Sequence, residues 1–282
     1  MTRFVKRLFV LSSLLLVQGL QAQRADAAVP TFKKVVVIFF ENTDYDKAMA
    51  QPTFARLAAQ GAQLTQMQAV AHPSQPNYVA LIAGSTFGLL TDRNLDLPNR
   101  HLGDLLEEKG RSWKAYAEGF PGNCFTRPTS GAYARRHVPF LSFTNVTTNP
   151  ARCSRVVGSA EFFEDFRSGT LPDFSFYTPD VKNDGHDTGV QYADRYLAAT
   201  FLPLMNGPGA SRDVLWIVMF DEGVANQRIY TVLYGDQVKP ASRSDIRYDT
   251  FSILRTLELG FGLGDLGLQD RKAVAVDGIW GR

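Results

Sequence analysis

An α/β fold, with a mostly parallel central sheet flanked by helices on both faces, is what this 282-residue chain predicts. Two observations carry that expectation. Runs of β-branched and aromatic residues alternate along the chain with stretches of helical spacing, the order that crossover connections between parallel strands require. The two most apolar runs, V-V-V-I-F-F at 35–40 and V-L-W-I-V-M-F at 214–220, are apolar at every position rather than at every second one. Strands buried on both faces have that character.

The elements follow in order. Residues 34–40 predict the first buried strand. Met49, Phe54, Leu57 and Ala58 then recur at helical spacing, which predicts a helix over 48–61 with Gly61 as its C-terminal cap. Residues 76–83 predict a second helix, with proline in the first turn where a missing N–H is tolerated. A third runs over 101–109 and stops at Gly110. Short strands are expected at 113–116 and 174–177, a helix at 192–205, strands at 214–220 and 229–234, and a last amphipathic helix at 247–259. Between residues 118 and 157 the periodicity fails and Gly, Pro, Thr, Arg and Asn accumulate. That segment is expected to be a long excursion, serving as a lid or rim over a site.

Residues 1–27 have the order of a secretory signal peptide: Arg3, Lys6 and Arg7, an apolar run over 8–17, then Ala25-Asp26-Ala27. The apolar run is shorter than the roughly 20 residues that span a bilayer. The mature chain is therefore expected to be one domain, residues 28–282, periplasmic or secreted and with no stable membrane insertion. In such an oxidising compartment Cys124 and Cys153 are expected to pair. A bridge across that segment would constrain the unfolded chain by about 3–4 kcal/mol. The leader also accounts for the formal charge of +2: without Arg3, Lys6, Arg7, Arg24 and Asp26 the net charge is −1. No basic patch remains that would call for nucleic acid.

Four places carry chemistry. The first strand runs into Glu41-Asn42, and the strand at 214–220 runs into Asp221-Glu222. Ligands in open α/β sheets sit beyond the carboxyl ends of the strands. Carboxylate and amide oxygens delivered there by two strands suit a divalent cation: Mg, Ca, Mn, Zn or Fe. Each pair alone would serve equally as a loop cap. Third, Ser74 stands just before the helix at 76–83, where backbone N–H groups favour an anion. It is either a nucleophile beside a phosphate or a simple N-cap, and the absence of a G-x-S-x-G elbow disfavours an α/β-hydrolase esterase. Fourth, His186 lies in N-D-G-H-D at 183–187, flanked by acids that would orient its ring. His101 and His137 lack such a setting and read as structural or surface residues.

These stretches also carry a resemblance. E-N-T-D-Y-D at 41–46, H-P-S-Q-P-N-Y at 72–78, N-D-G-H-D, F-D-E-G at 220–223, Y-G-D-Q-V-K-P at 234–240 and Y-D-T-F-S-I-L-R-T-L-E at 248–258 occur in order. Together they resemble the phosphoesterase family of bacterial and fungal acid phosphatases and phospholipases C, within the alkaline-phosphatase-like superfamily. The resemblance implies an alkaline-phosphatase-like fold and a metal held by Glu41, Asn42, Asp221 and Glu222, with Ser74 as ligand and nucleophile. It further implies a phosphate site formed by Asn77, His186 and Asp187, and a small phosphorylated substrate. Many relatives carry a further histidine near the last helix, whereas residues 242–252 contain none. His72 is the candidate for that role. The implied activity is hydrolysis of phosphate monoesters through a phosphoserine intermediate. A phospholipase C acting on diesters and an inactive phosphate-ester-binding protein are the alternatives; Arg127, Arg135, Arg136 and Arg152 in the excursion favour an anionic monoester.

Overall fold

The structure, a computed structural model, describes residues 29–207 and 213–281. The expected leader, residues 1–27, lies outside the described residues. Ten strands lie among the described residues: β1 Lys34–Phe40, β2 Ala62–Gln68, β3 Trp113–Ala117, β4 Thr129–Ser130, β5 Tyr133–Ala134, β6 Val156–Gly158, β7 Phe174–Thr178, β8 Val214–Phe220, β9 Thr231–Tyr234 and β10 Ser242–Asp249. Eight of them form one sheet in the order β10-β2-β9-β8-β1-β7-β3-β6, while β4 and β5 pair as a separate hairpin. Every neighbouring pair in the large sheet is parallel except the two made by β9. The expected mostly parallel sheet is therefore observed.

Helices cover both faces, and two consecutive side chains show it. Phe39 and Phe40 point to opposite sides of β1, because side chains alternate along a strand. Phe39 packs on Tyr78 of the helix Gln75–Ala83, with ring centroids 4.6 Å apart. Phe40 packs on Phe54 of the helix Pro52–Gln60, at 5.4 Å. Burial on both sides is why β8, and β1 from Val35 onward, are apolar at every position. The two strands pair in unbroken parallel register from Lys34↔Val214 to Phe40↔Phe220. Both chains consequently leave the sheet at the same level.

Several boundaries differ from expectation, each for a local reason. The helix expected over 48–61 is two helices, Tyr45–Met49 and Pro52–Gln60. Pro52 has no N–H to continue the first, and it holds Gln51 extended at φ −91°, ψ 138°. The helix expected over 192–205 is likewise divided into Val190–Thr200 and Leu202–Asn206, with Pro203 in the first turn of the second. The last helix is Thr250–Phe261 rather than 247–259. Residues up to Asp249 belong to β10, with Arg247 opposite Gln66 and Asp249 opposite Gln68 of β2. Asp249 then starts the helix by accepting from the Ser252 backbone N–H at 3.0 Å. Strands β2 and β6 and the helix Ser159–Ser168 were not expected.

The segment 118–157 is an excursion from the sheet that returns as β6. It contains the β4–β5 hairpin, single 3-10 turns at Arg135–His137 and Pro139–Ser142, and the one-turn helices Thr144–Thr147 and Pro150–Cys153. Cys124 and Cys153 are bridged, with Cα atoms 5.5 Å apart. His101, as expected, is structural. Its Nδ1 accepts from the Gly103 N–H at 3.0 Å and so caps the helix Leu102–Glu108.

Candidate active site

The matched ends of β1 and β8 create the site. Glu41 and Asn42 follow Phe40, and Asp221 and Glu222 follow Phe220. The backbone ties the two ends together: the Asn42 N–H donates to Asp221 Oδ1 at 3.0 Å, and the Thr43 N–H donates to the Glu222 carbonyl at 2.9 Å. Asn42 adopts φ +52°, a left-handed conformation that asparagine tolerates better than most residues. After Glu222 the chain turns so tightly that a Cβ on Gly223 would lie 1.8 Å from the Asn226 carbonyl oxygen. Asp44 Oδ1 holds that turn by accepting from the N–H groups of Val224, Ala225 and Asn226 at 3.0–3.1 Å.

Ser74 immediately precedes the nine-residue helix Gln75–Ala83, but its hydroxyl does not cap it. Ser74 is itself helical, at φ −55°, ψ −54°, and accepts no backbone N–H through its side chain. Its Oγ lies instead 2.9 Å from Glu41 Oε2, 3.2 Å from Glu222 Oε1 and 3.4 Å from Asn42 Oδ1. One hydroxyl proton cannot satisfy three acceptors. The open helix N-terminus is met by Asp92, whose Oδ1 accepts from the Gln75 N–H at 2.9 Å.

A second layer, absent from the expectations, lies behind Glu41. The excursion delivers His137, fully enclosed, with Nε2 3.2 Å from Glu41 Oε1 and Nδ1 3.3 Å from Asp184 Oδ2. Tyr78 stacks flat on the His137 ring, centroids 5.0 Å apart, and its hydroxyl donates to Glu41 Oε1. Asp184 belongs to N-D-G-H-D, yet the sequence drew attention to its neighbours. It accepts from the His186 N–H at 2.7 Å, and its own carbonyl accepts from the Glu41 N–H at 3.0 Å. The basic run R-R-H gives no sign of a buried imidazole.

Five residues are thus brought together around the hydroxyl: Glu41, Asn42, Ser74, Asp221 and Glu222. His72 joins them at the rim through a hydrogen bond from its Nδ1 side to Glu222 Oε2. His186 and Asp187 sit one ring further out. His186 is 6.0 Å from His137 between centroids, and its Nδ1 is 2.7 Å from Asp187 Oδ1. Asn77 does not reach the group. Its amide is engaged by the Val70 and Ala71 N–H groups and by the Ala71 carbonyl, at 2.9–3.0 Å, and so shapes the loop that leads to Ser74.

The electrostatics of this cluster suit a cation. Burial, followed by repulsion from Asp221 and Asp184, pushes the Glu41 carboxyl well above its usual range. Burial and the neighbouring Glu222 raise Asp221 to about 7, and burial, with Asp221 and Asp180 nearby, raises Asp184 to about 8. Burial, with Arg136 and His186 adding repulsion, holds His137 neutral. Both His137 nitrogens, Asp184 Oδ2 and Asp221 Oδ2 are buried without a hydrogen-bond partner. Ligand atoms of Glu41, His137 and Asp184 lie within 4.8 Å of one another. A divalent ion would satisfy these atoms and offset the charge that burial disfavours. The residues present therefore fit a metal.

The fold is that of the alkaline phosphatase superfamily. A member of that superfamily from Vibrio parahaemolyticus matches with a TM-score of 0.63 over 89% of this chain and 72% of its own, at 16% identity, a likeness that speaks to fold alone. The chain belongs to the phosphoesterase family, which it matches over residues 47–264. A probable acid phosphatase of Kluyveromyces lactis is 36% identical over 88% of this chain. The chain spans 63% of the length of that relative. A phosphatidylinositol-3-phosphatase of Mycobacterium tuberculosis is 34% identical over 93% of this chain and 87% of its own.

Proposed function

We propose that the chain is a metal-dependent phosphoric ester hydrolase, an acid phosphatase acting on phosphate monoesters, with Ser74 as nucleophile. The observation that carries this reading is the Ser74 hydroxyl, left free by its helix and surrounded by oxygens from the ends of two adjacent strands. Family membership and the names of the two relatives support it. Residues 28–282 act as one phosphoesterase domain, a reading supported by a single sheet that draws strands from Lys34 to Asp249. The chain is periplasmic or secreted, which the disulfide supports. No helix among the described residues is long and apolar enough to cross a membrane.

The chain's own groups account for the proton and bond changes. Glu41 and Glu222 hold the Ser74 hydroxyl and accept its proton as Oγ attacks phosphorus. The bond to the leaving alkoxide breaks, and protonated His186, oriented by Asp187, supplies that oxygen with a proton. In the second step neutral His186 takes a proton from the water that attacks the phosphoseryl phosphorus, the bond to Oγ breaks, and Ser74 recovers its proton from the glutamates as phosphate departs. A divalent ion held by Glu41, Asn42, Ser74, Asp221 and Glu222, with His137 and Asp184 adjacent, would supply Lewis-acid stabilisation of the hydroxyl and of the phosphoryl oxygens. His72, bonded to Glu222 at the rim, is the candidate for the role of the histidine that residues 242–252 lack.

Ser74→Ala should retain the fold and lose turnover of a chromogenic monoester. Acid-quenched wild type should carry one added phosphoryl group by intact mass. Activity near wild type in the variant, with no phosphoryl adduct in the wild type, removes Ser74 from this role. A choline diester turned over faster than the monoester would favour the phospholipase C reading.

A further inference from the structure

We propose that Arg136 is the residue that selects a monoester over a diester, by pairing with the additional charged oxygen that only a monoester presents. The proposal rests on the phosphatase reading and names which side chain sets its substrate class.

Five arginines lie in the excursion, and the structure separates them; Arg155 pairs with Glu107 at 2.5 Å. Arg135 is committed to the fold: it donates to the carbonyls of Thr126, Leu95 and Leu141 and to Asp96. Arg152 is paired with Glu107 and Asp104. Arg127 lies over the Phe125 ring, 4.9 Å from its centroid. Arg136 differs from these four. Its one hydrogen bond is to His186; its Nε, like that of Arg135, is buried without a partner, and Asp92 Oδ2 stands 3.9 Å from it, beyond hydrogen-bond reach.

Its position is informative as well. Asp92 is the carboxylate on the Gln75 N–H, at the start of the helix that follows Ser74. On the other side, Arg136 Nη2 lies 3.3 Å from His186 Nε2. An arginine can only donate, so His186 Nε2 accepts from it while Nδ1 faces Asp187; when a phosphate takes that donor, Nε2 is released to carry the proton that the leaving oxygen receives. The guanidinium therefore lies between the helix that begins at Ser74 and the 184–187 loop, with a planar set of donors that is not saturated. Phosphate oxygens match that fork better than any protein partner it has here. A diester carries an alkyl group in place of one charged oxygen, and a guanidinium facing that group would lose both a charge and an acceptor. Discrimination by an unpaired donor of this kind is stronger than discrimination by shape.

The test uses the metal-loaded full chain, with p-nitrophenyl phosphate and bis-p-nitrophenyl phosphate as substrates and inorganic phosphate as inhibitor. In Arg136→Met the kcat/KM ratio of monoester to diester should fall on the order of 100-fold, the scale for loss of a charged donor on the transferring group. Inhibition by phosphate should weaken at least about tenfold. Arg136→Lys, which keeps the charge but not the fork, should give a ratio between the two and serves as the readout if the methionine variant does not fold. Equal losses on both esters, or unchanged phosphate inhibition in a folded variant, would overturn the assignment. If the wild type cleaves neither ester, the phosphatase reading fails by itself. Arg136 is then judged by whether its substitution removes the rise in melting temperature that phosphate gives the wild type, and an equal rise, or none in the wild type, overturns it.

Discussion

Replacing Glu258 with glutamine isolates one buried proton. Glu258 lies in the last long helix with its side chain fully enclosed, and its Oε1 has no hydrogen-bond partner. Its neighbours are Arg255, 3.4 Å away through Oε2, and the buried Asp270, whose carboxylate accepts from the N–H groups of Leu266 and Leu268 at 2.7 and 2.9 Å. Burial first, and repulsion from Asp270 second, raise the Glu258 carboxyl from 4.5 to about 8. The folded state therefore holds a proton that the unfolded state releases above pH 4.5. Stability contributed by that proton is present below pH 4.5 and is lost as pH rises toward 8. Each pH unit inside the window is worth at most about 1.4 kcal/mol. Relaxation around the charged side chain absorbs part of this, and about 1–3 kcal/mol should be lost between pH 5 and pH 8. Glu258→Gln has no such proton to lose, and every other titrating group cancels in the comparison. Urea unfolding of metal-saturated wild type and variant at pH 5, 6, 7 and 8 measures the difference directly. The variant should be no more stable than wild type at pH 5 and more stable at pH 8. A difference that stays constant across this range would refute the assignment of a shared buried proton to Glu258.

The remaining predictions concern the site and its support. Tyr78→Phe keeps the ring on His137 but removes the hydroxyl donor to Glu41, a charge-assisted hydrogen bond worth about 1.5–3 kcal/mol. The divalent-ion concentration that gives half the rise in melting temperature should increase about 10–100-fold; an unchanged midpoint counts against this support. The paired substitution Cys124→Ser with Cys153→Ser should lower stability by about 3–4 kcal/mol. It should also raise KM more than a surface substitution of equal destabilisation does, because Arg136 and His137 lie inside the stapled segment; equal KM values would separate the bridge from the site.

The sequence made the interior legible where burial leaves a plain trace. β1, β7 and β8 are apolar because both of their faces are covered, and they stand where the residue pattern puts them. β2 is not legible in this way. It reads A-Q-L-T-Q-M-Q, and its polar residues belong to a strand near the sheet margin, three of whose seven positions remain accessible. The expected long helices at 48–61 and 192–205 ignored the consequence of Pro52 and Pro203, which periodicity alone does not register. At the site, strand ends and a helix start placed Glu41, Asn42, Ser74, Asp221 and Glu222 near one another. His137 was not legible, because it reaches Glu41 through a fold of the excursion that no periodic signal describes. Asp184 was on view in N-D-G-H-D but was passed over, because burial rather than sequence distinguishes it from Asp187. The resemblance puts Asn77 in the phosphate site, whereas its amide completes the hydrogen bonds of the preceding loop.

The stapled segment has a consequence for where the protein can work. The carboxylates of the site come from strand ends whose register is held by the sheet, and they need no covalent aid. The imidazole and guanidinium come from a loop whose closure depends on Cys124 and Cys153. In a reducing cytoplasm the first half would assemble and the second would be slack. If the chain is exported as proposed, a copy folded in the cytoplasm would lack the ordered second half of its site. On that reading the bridge would tie the site's completion to an oxidising compartment.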